Sequence, residues 1–186
     1  MIMHIRGSIA VHQQAIEYIL TIEQKLLEAI SMVCNTIDSN KRIFICGNGG
    51  SAADAQHFAA ELTGRFEKER RGWPAVALTT DTSALTAIGN DYGFEHIFSR
   101  QLEAIGQAGD LLVAISTSGN SKNVIKAVEY ARHHKIHTIG LLGRDGGQLA
   151  QLVDLPLIIP VNSTARIQEA HILMLHLICE GLEQSL

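Results

Sequence analysis

The sequence predicts an α/β fold in three layers, with a five-stranded parallel sheet covered by helices on both faces. Three observations point there. Short apolar runs recur along the chain, and segments of helical spacing separate most of them. The runs are almost continuously apolar rather than alternating, as strands buried on both faces are. Turns rich in glycine and hydroxyl residues stand where two of the runs give way to helices.

In order along the chain, apolar residues keep helical spacing from about Ser8 to Ile37, through Ile16, Ile19, Leu20, Leu26, Leu27, Ile30 and Val33, which predicts one long helix. Strands are predicted at RIFIC (42–46), AVAL (75–78), LLVAIS (111–116), HTIGLL (137–142) and LPLIIP (155–160). Between and after them, helices are predicted over Ser51–Thr63, Thr82–Ile105 with breaks, Ser121–His134, a short turn near Gln148, and Thr164–Glu183. Five strands in one wound sheet is the flavodoxin-like scale. Residues 1–186 read as a single domain, with 1–40 a helical extension that contributes to an oligomer interface. The last helix, IQEAHILMLHLICEGL (167–182), is apolar around most of its circumference, so it is buried on several sides, partly by another subunit.

The bulk numbers exclude some classes. A net charge of −4 favours neither nucleic acid nor an anionic membrane as partner. The mixed-charge run EKERRGW (67–73) reads as a solvated loop. Three scattered cysteines, Cys34, Cys46 and Cys179, fit a reducing cytosol rather than a disulfide framework. No signal peptide and no membrane-spanning run is expected, which places the protein in the cytoplasm.

Two loops have the chemistry of anion cradles. GNGGS (47–51) follows a strand and opens a helix, whose free N–H groups and dipole attract anions. Ser51 there either caps the helix or donates to a ligand oxygen. STSGNS (116–121) holds four hydroxyl residues, where a cap needs one. With no lysine inside the loop it is not a P-loop; it makes a neutral cradle for a phosphate monoester. GNGGSA also satisfies a dinucleotide fingerprint, with Asp81 as the acid. That acid comes late, little chain remains for a substrate domain, and STSGNS is left without a role.

His57 and Glu61 stand one turn apart on the helix that the first loop opens, about 6 Å along its axis. One divalent ion can bridge such a pair, although an exposed polar face has the same spacing. The last helix adds Arg166, Gln168, Glu169, His171 and His176. A histidine in a stretch such as LMLHLIC is ordinarily a satisfied core residue.

Four motifs, CGNGGSAADAQHFAAELTGR, AIGNDYGF, AISTSGNS and ARIQEAHILMLH, together resemble the phosphoheptose isomerases, members of the sugar-isomerase (SIS) domain superfamily. The resemblance covers nearly the whole chain and is weakest before Lys41. It implies a flavodoxin-like homotetramer in which sites lie near subunit interfaces. The implied reaction converts D-sedoheptulose 7-phosphate to D-glycero-D-manno-heptose 7-phosphate, the first step toward the ADP-heptose of bacterial surface polysaccharide. It also implies one zinc per subunit, held by His57, Glu61, Gln168 and His176. Substrate contacts fall on Asn48, Gly49, Gly50, Ser51, Glu61, Asn90, Asp91, Ser116, Thr117, Ser118, Ser121 and Gln168. By the same resemblance Glu61 is the base, His176 the acid/base partner, and Asp91 orients a sugar hydroxyl. A carboxylate bound to zinc is a weaker base, so the two roles of Glu61 compete. Gln168 and His176 are about 12 Å apart along their helix, so one ion needs leaning side chains, a bent helix or two subunits. The alternative is a non-catalytic protein of the same fold that binds the replication initiator, in which the acid and the imidazole are missing. Here both are present. A sugar-phosphate-sensing regulator would need a DNA-binding module, for which there is no room before Lys41.

Overall fold

The computed structural model describes residues 4–185. Residues 1–3 and 186, which belong to the single-domain expectation, lie outside the described residues. Strands β1 (Ile43–Cys46), β2 (Ala75–Ala77), β3 (Leu111–Ser116), β4 (His137–Gly143) and β5 (Leu155–Ile159) form one parallel sheet in the order β2-β1-β3-β4-β5. Each pair is in parallel register, from Ile43 opposite Leu111 to Gly143 opposite Ile159. All of β1 and β3 is buried, which is why those runs carry no polar alternation.

Helices α1 (Ile5–Thr21), α2 (Glu23–Asp38), α3 (Gly50–Thr63) and α7 (Thr164–Gln184) cover one face. On it Ile45, Val113, Ile115, Leu141 and Leu157 pack with Phe58, Leu62, Met174 and Ile178. The helices α5 (Ser99–Ile105) and α6 (Lys122–His133) cover the other face, with a 3-10 turn at Phe94–His96. Phe44, Leu112 and Leu142 meet Phe98, Leu102, Val124 and Val128 there. α4 (Thr82–Tyr92) lies along this side, and none of its residues, all described, is buried.

Two expectations need correction. The long N-terminal helix is two helices, broken at Ile22, whose φ of −112° and ψ of 18° leave the helical region. The break falls on the β-branched pair Thr21–Ile22, where the Thr21 hydroxyl donates back to the Tyr18 carbonyl at 2.7 Å. This extension also takes part in the core, where Ala15, Ile19, Leu26, Ala29 and Val33 are buried.

The run 67–73 is also not simply solvated. Arg70 is buried with Glu183 of α7, their side chains 5% and 4% exposed, Nε to Oε1 at 3.0 Å. Glu183 further accepts the N–H groups of Phe66, Glu67 and Lys68. Burial pushes the Glu183 carboxyl up, but those three N–H groups and Arg70 outweigh it and hold the group below its ordinary range. The Arg70 guanidinium lies 3.5 Å over the Trp73 ring. It donates to the carbonyls of Glu61, Leu62 and Gly64, closing the C-terminal end of α3.

His171 is the core histidine of α7, bonded through one ring nitrogen, while among the described residues its buried Nδ1 has no partner. It is fully buried, with Nε2–H donating to the Leu142 carbonyl at 3.1 Å. Burial pushes its pKa down to about 4, against the opposing pull of that bond. The native ring is therefore neutral. Below the ordinary value of 6.5 the unfolded chain binds a proton that the native chain refuses, so stability falls as pH drops from 6.5 toward 4. At pH 5 the loss is about 2 kcal/mol relative to neutral pH. His171→Gln, which keeps an N–H donor, should show a smaller drop in urea stability between pH 7 and pH 5 than the native chain, by about that amount. Equal drops in the two proteins would contradict this.

Candidate active site

The order β2-β1-β3-β4-β5 reverses its winding between β1 and β3, and ligands of such sheets bind outside the strand ends at that point. The loops after β1 and β3 are GNGGS and STSGNS. They stand side by side because Ile43–Cys46 pairs with Leu111–Ala114.

In the first loop Gly49 is the N-cap of α3, at φ +56°. Ser51 is one residue inside the helix and buried, so of the two roles open to it, cap or donor to a ligand, the cap is not made. A Cβ on Gly50 would run into the side-chain amide of Gln168, which fixes how closely α7 approaches the start of α3.

In the second loop Ser121 occupies the N-cap position of α6, but its hydroxyl does not cap. It meets the Ser116 hydroxyl at 3.0 Å, while Ser118 Oγ accepts the Asn120 N–H at 3.1 Å. Among the described residues the N–H groups of Lys122 and Asn123 at the start of α6 are thus left to a ligand, while that of Val124 goes to Asn123 Oδ1. Gly119, at φ +66°, packs so closely on Gly146 that any side chain would collide with the Gly146 carbonyl. This backs the loop with the chain that follows β4. Thr117 and Ser118 remain half-buried at the surface.

Two helices bring the chemistry to these loops. α3 and α7 run side by side in the same direction, with Gln168 against Gly50 and His176 against His57. His57 Nε2 lies 3.0 Å from His176 Nε2 and 3.2 Å from Glu61 Oε1. Phe66 stacks on the His176 ring, with centroids 5.7 Å apart. So the histidine embedded in LMLHLIC faces the site, and its neighbour His171 is the one that serves the core. Gln168 stays with Gly50, and among the described residues no hydrogen bond joins it to either histidine. Nor, among the described residues, is any group of three or more His, Cys, Asp or Glu side chains drawn together as a ready metal cage. The contacts are two pairs that share His57 Nε2.

Sequence reasoning passed over three residues here. Asp54 lies on the same face of α3 as His57 and Glu61, a spacing visible in the sequence. Among the described residues its buried Oδ2 has no hydrogen-bond partner, and burial pushes its pKa up to about 6, opposed by His57. Phe66 reaches His176 only because Glu183 ties its loop down, which no local pattern signals. Asn123 is buried at the start of α6 and exchanges hydrogen bonds with Asn48.

Asn90 and Asp91 are exposed at the end of α4, where Asn90 Nδ2 donates to Asp91 Oδ1 at 2.8 Å. Among the described residues no hydrogen bond links either to the two loops or to the His57 cluster. Asp81, the acid of the dinucleotide pattern, caps α4 by accepting the Ala84 N–H at 2.9 Å.

The SIS domain family matches residues 9–143. The phosphoheptose isomerase of Aliarcobacter butzleri is 56% identical over 94% of this chain and 93% of its own length. The chain belongs to the phosphoheptose isomerase family. A second phosphoheptose isomerase, from Geotalea daltonii, is 53% identical over 100% of this chain and 97% of its own. Two solved phosphoheptose isomerase structures share the whole architecture. The one from Neisseria gonorrhoeae, at 51% identity, covers 97% of this chain and 95% of that one with a TM-score of 0.88. The one from Francisella tularensis, at 34%, covers 98% and 100% with a TM-score of 0.90. The sugar isomerase domain of an RpiR transcription factor from Sphaerobacter thermophilus, 14% identical with a TM-score of 0.68, shares the fold alone. Among the described residues no helix is long and apolar enough to cross a membrane.

Proposed function

We propose that the protein is an aldose–ketose isomerase that converts D-sedoheptulose 7-phosphate to D-glycero-D-manno-heptose 7-phosphate. The observation that carries this reading is the meeting of Glu61, His57 and His176 on two helices whose starts lie by the loops 47–51 and 116–121. The ketose carbonyl moves from C2 to C1 through an enediol. Glu61 takes a proton from C1 and returns it to C2. His176 gives a proton to O2 and takes one from O1, so the proton count closes. The loop 116–121 and the start of α6 hold the phosphate, far from the reacting carbons, so binding energy there serves the chemistry. Sedoheptulose 7-phosphate supplied to the purified protein should yield an aldose phosphate, read by NMR. Unchanged ketose would refute the reading.

A zinc ion is part of the proposal, on the fit of the residues present. Neighbouring ligands of a tetrahedral zinc at 2.0–2.1 Å lie about 3.3 Å apart. The separations of 3.0 and 3.2 Å around His57 Nε2 are close to that. His57, Glu61 and His176 would hold the ion, with Gln168 as fourth ligand after leaving Gly50. Bound there, zinc supplies Lewis-acid polarisation of the sugar oxygens.

The proposal also includes a homotetramer. Ile5, Ile9, Leu20 and Leu27 are each at least half exposed on α1 and α2, and Leu20 is 76% exposed. α4, which carries Asn90 and Asp91, has no buried residue of its own, and a neighbouring subunit that covers it would bring those side chains to a site. Three free cysteines support a cytoplasmic location.

A further inference from the structure

The two loops are joined by a single side-chain device. Asn48 Nδ2 donates to Asn123 Oδ1 at 2.8 Å, and Asn123 Nδ2 donates back to Asn48 Oδ1 at 2.8 Å. Among the described residues no other side-chain hydrogen bond joins 47–51 to 116–123. From these contacts we infer that Asn123 is a positioning residue, which sets the sense of the Asn48 amide toward the sugar. The inference rests on the isomerase reading above.

An asparagine amide can turn over and exchange its oxygen and nitrogen, so its sense must be set by neighbours whose roles are fixed. Asn123 has such a neighbour. Its Oδ1 accepts the Val124 backbone N–H at 3.0 Å, and a backbone N–H can only donate. The atom facing Val124 is therefore an oxygen. That settles Asn123, and the reciprocal pair then settles Asn48: nitrogen toward Asn123 Oδ1, oxygen toward Asn123 Nδ2. Asn123 is 3% exposed, so water does not compete for the pair from its side.

The pair uses one N–H and one lone pair of the Asn48 amide. By inventory, one N–H and one lone pair remain to Asn48, which is half-buried in the loop that opens the His57 helix. A polyhydroxy sugar needs such a neighbouring donor and acceptor. Asn123 touches no substrate in this account; it acts through Asn48. It also holds the loop after β1 in register with the phosphate loop after β3, so that one molecule can span both.

A double-mutant cycle on kcat/KM for sedoheptulose 7-phosphate tests this, with Asn48→Ala, Asn123→Ala and the double variant. A residue that acts only through Asn48 loses its effect once Asn48 is gone. Asn123→Ala should lower kcat/KM by about five- to tenfold, the scale of one hydrogen bond to a neutral group. The double variant should match Asn48→Ala within about twofold. A merely structural Asn123 would instead multiply the two losses. Multiplied losses, or an Asn123→Ala enzyme as active as the native one, would overturn the inference. Urea midpoints are read on every variant. If Asn123→Ala does not fold, Asn123→Ser, which retains a small acceptor near Val124, takes its place in the same cycle. A native protein that leaves the ketose unchanged would refute the isomerase reading itself. An active native protein with an additive cycle would refute only the role of Asn123.

Discussion

Glu61→Gln and His176→Ala should each lower kcat for sedoheptulose 7-phosphate by about 10²–10⁴-fold, the span of a lost general acid or base. Neither change should unfold the chain. The Glu61 side chain is 25% exposed, and glutamine keeps its shape while losing the proton-accepting carboxylate. His176 is only half-buried, so its removal opens space at a partly exposed position rather than in the core. The arrangement also explains why the two act together. Arg70 fixes the last turn of α3 through the Glu61 carbonyl, and Glu183 pins the loop that lays Phe66 on His176. Both side chains are thereby held at His57. Rate measurements on folded variants of native oligomeric size provide the check. Turnover within about tenfold of native in either variant would remove that residue from proton transfer.

Ser118→Ala combined with Ser121→Ala should reduce kcat/KM for the sugar phosphate by about a hundredfold or more. Two hydrogen bonds to a charged acceptor are removed, each worth about 1.5–3 kcal/mol. The structure sharpens this, because helix capping is not what Ser121 does: its hydroxyl faces Ser116 rather than the N–H groups of α6. Stability should therefore change by less than the ~1 kcal/mol that a lost cap costs. Sedoheptulose without its phosphate should be turned over very poorly by the native enzyme, and about equally poorly by the double variant. Equal proportional losses on the two sugars would move the phosphate away from this loop.

The fold was legible wherever burial imposed a pattern. LLVAIS became β3 to the residue, because a strand covered on both faces must be apolar throughout. The break at Ile22 was not legible, since neither glycine nor proline marks it and the apolar spacing continues on both sides. The two loops at the sheet's switch point could be read from composition, because glycine and hydroxyl clusters after apolar runs are a local signal. His176 could not be read from its surroundings. Periodicity cannot tell which of two histidines on a mostly apolar helix meets α3, and the bland expectation, a buried core residue, fits His171 instead. Arg70 was hidden for a related reason. A charge amid other charges looks solvated until its partner, Glu183, arrives from more than a hundred residues away. Asn123 followed a hydroxyl-rich loop and drew no notice, since nothing local says that a side chain at a helix start turns back toward another loop. For Asn90 and Asp91 the single chain offers only exposure.

For the proposed isomerisation a single phosphosugar must span from the 116–121 loop to the His57, Glu61 and His176 cluster. The most direct measurement is a crystal structure of the Glu61→Gln variant soaked with sedoheptulose 7-phosphate. The phosphate should lie among the hydroxyls of Ser116–Ser121 at the start of α6, with C1 and C2 beside residue 61 and His176. A sugar bound with its phosphate elsewhere, or with its carbonyl end pointing away from His176, would contradict this placement.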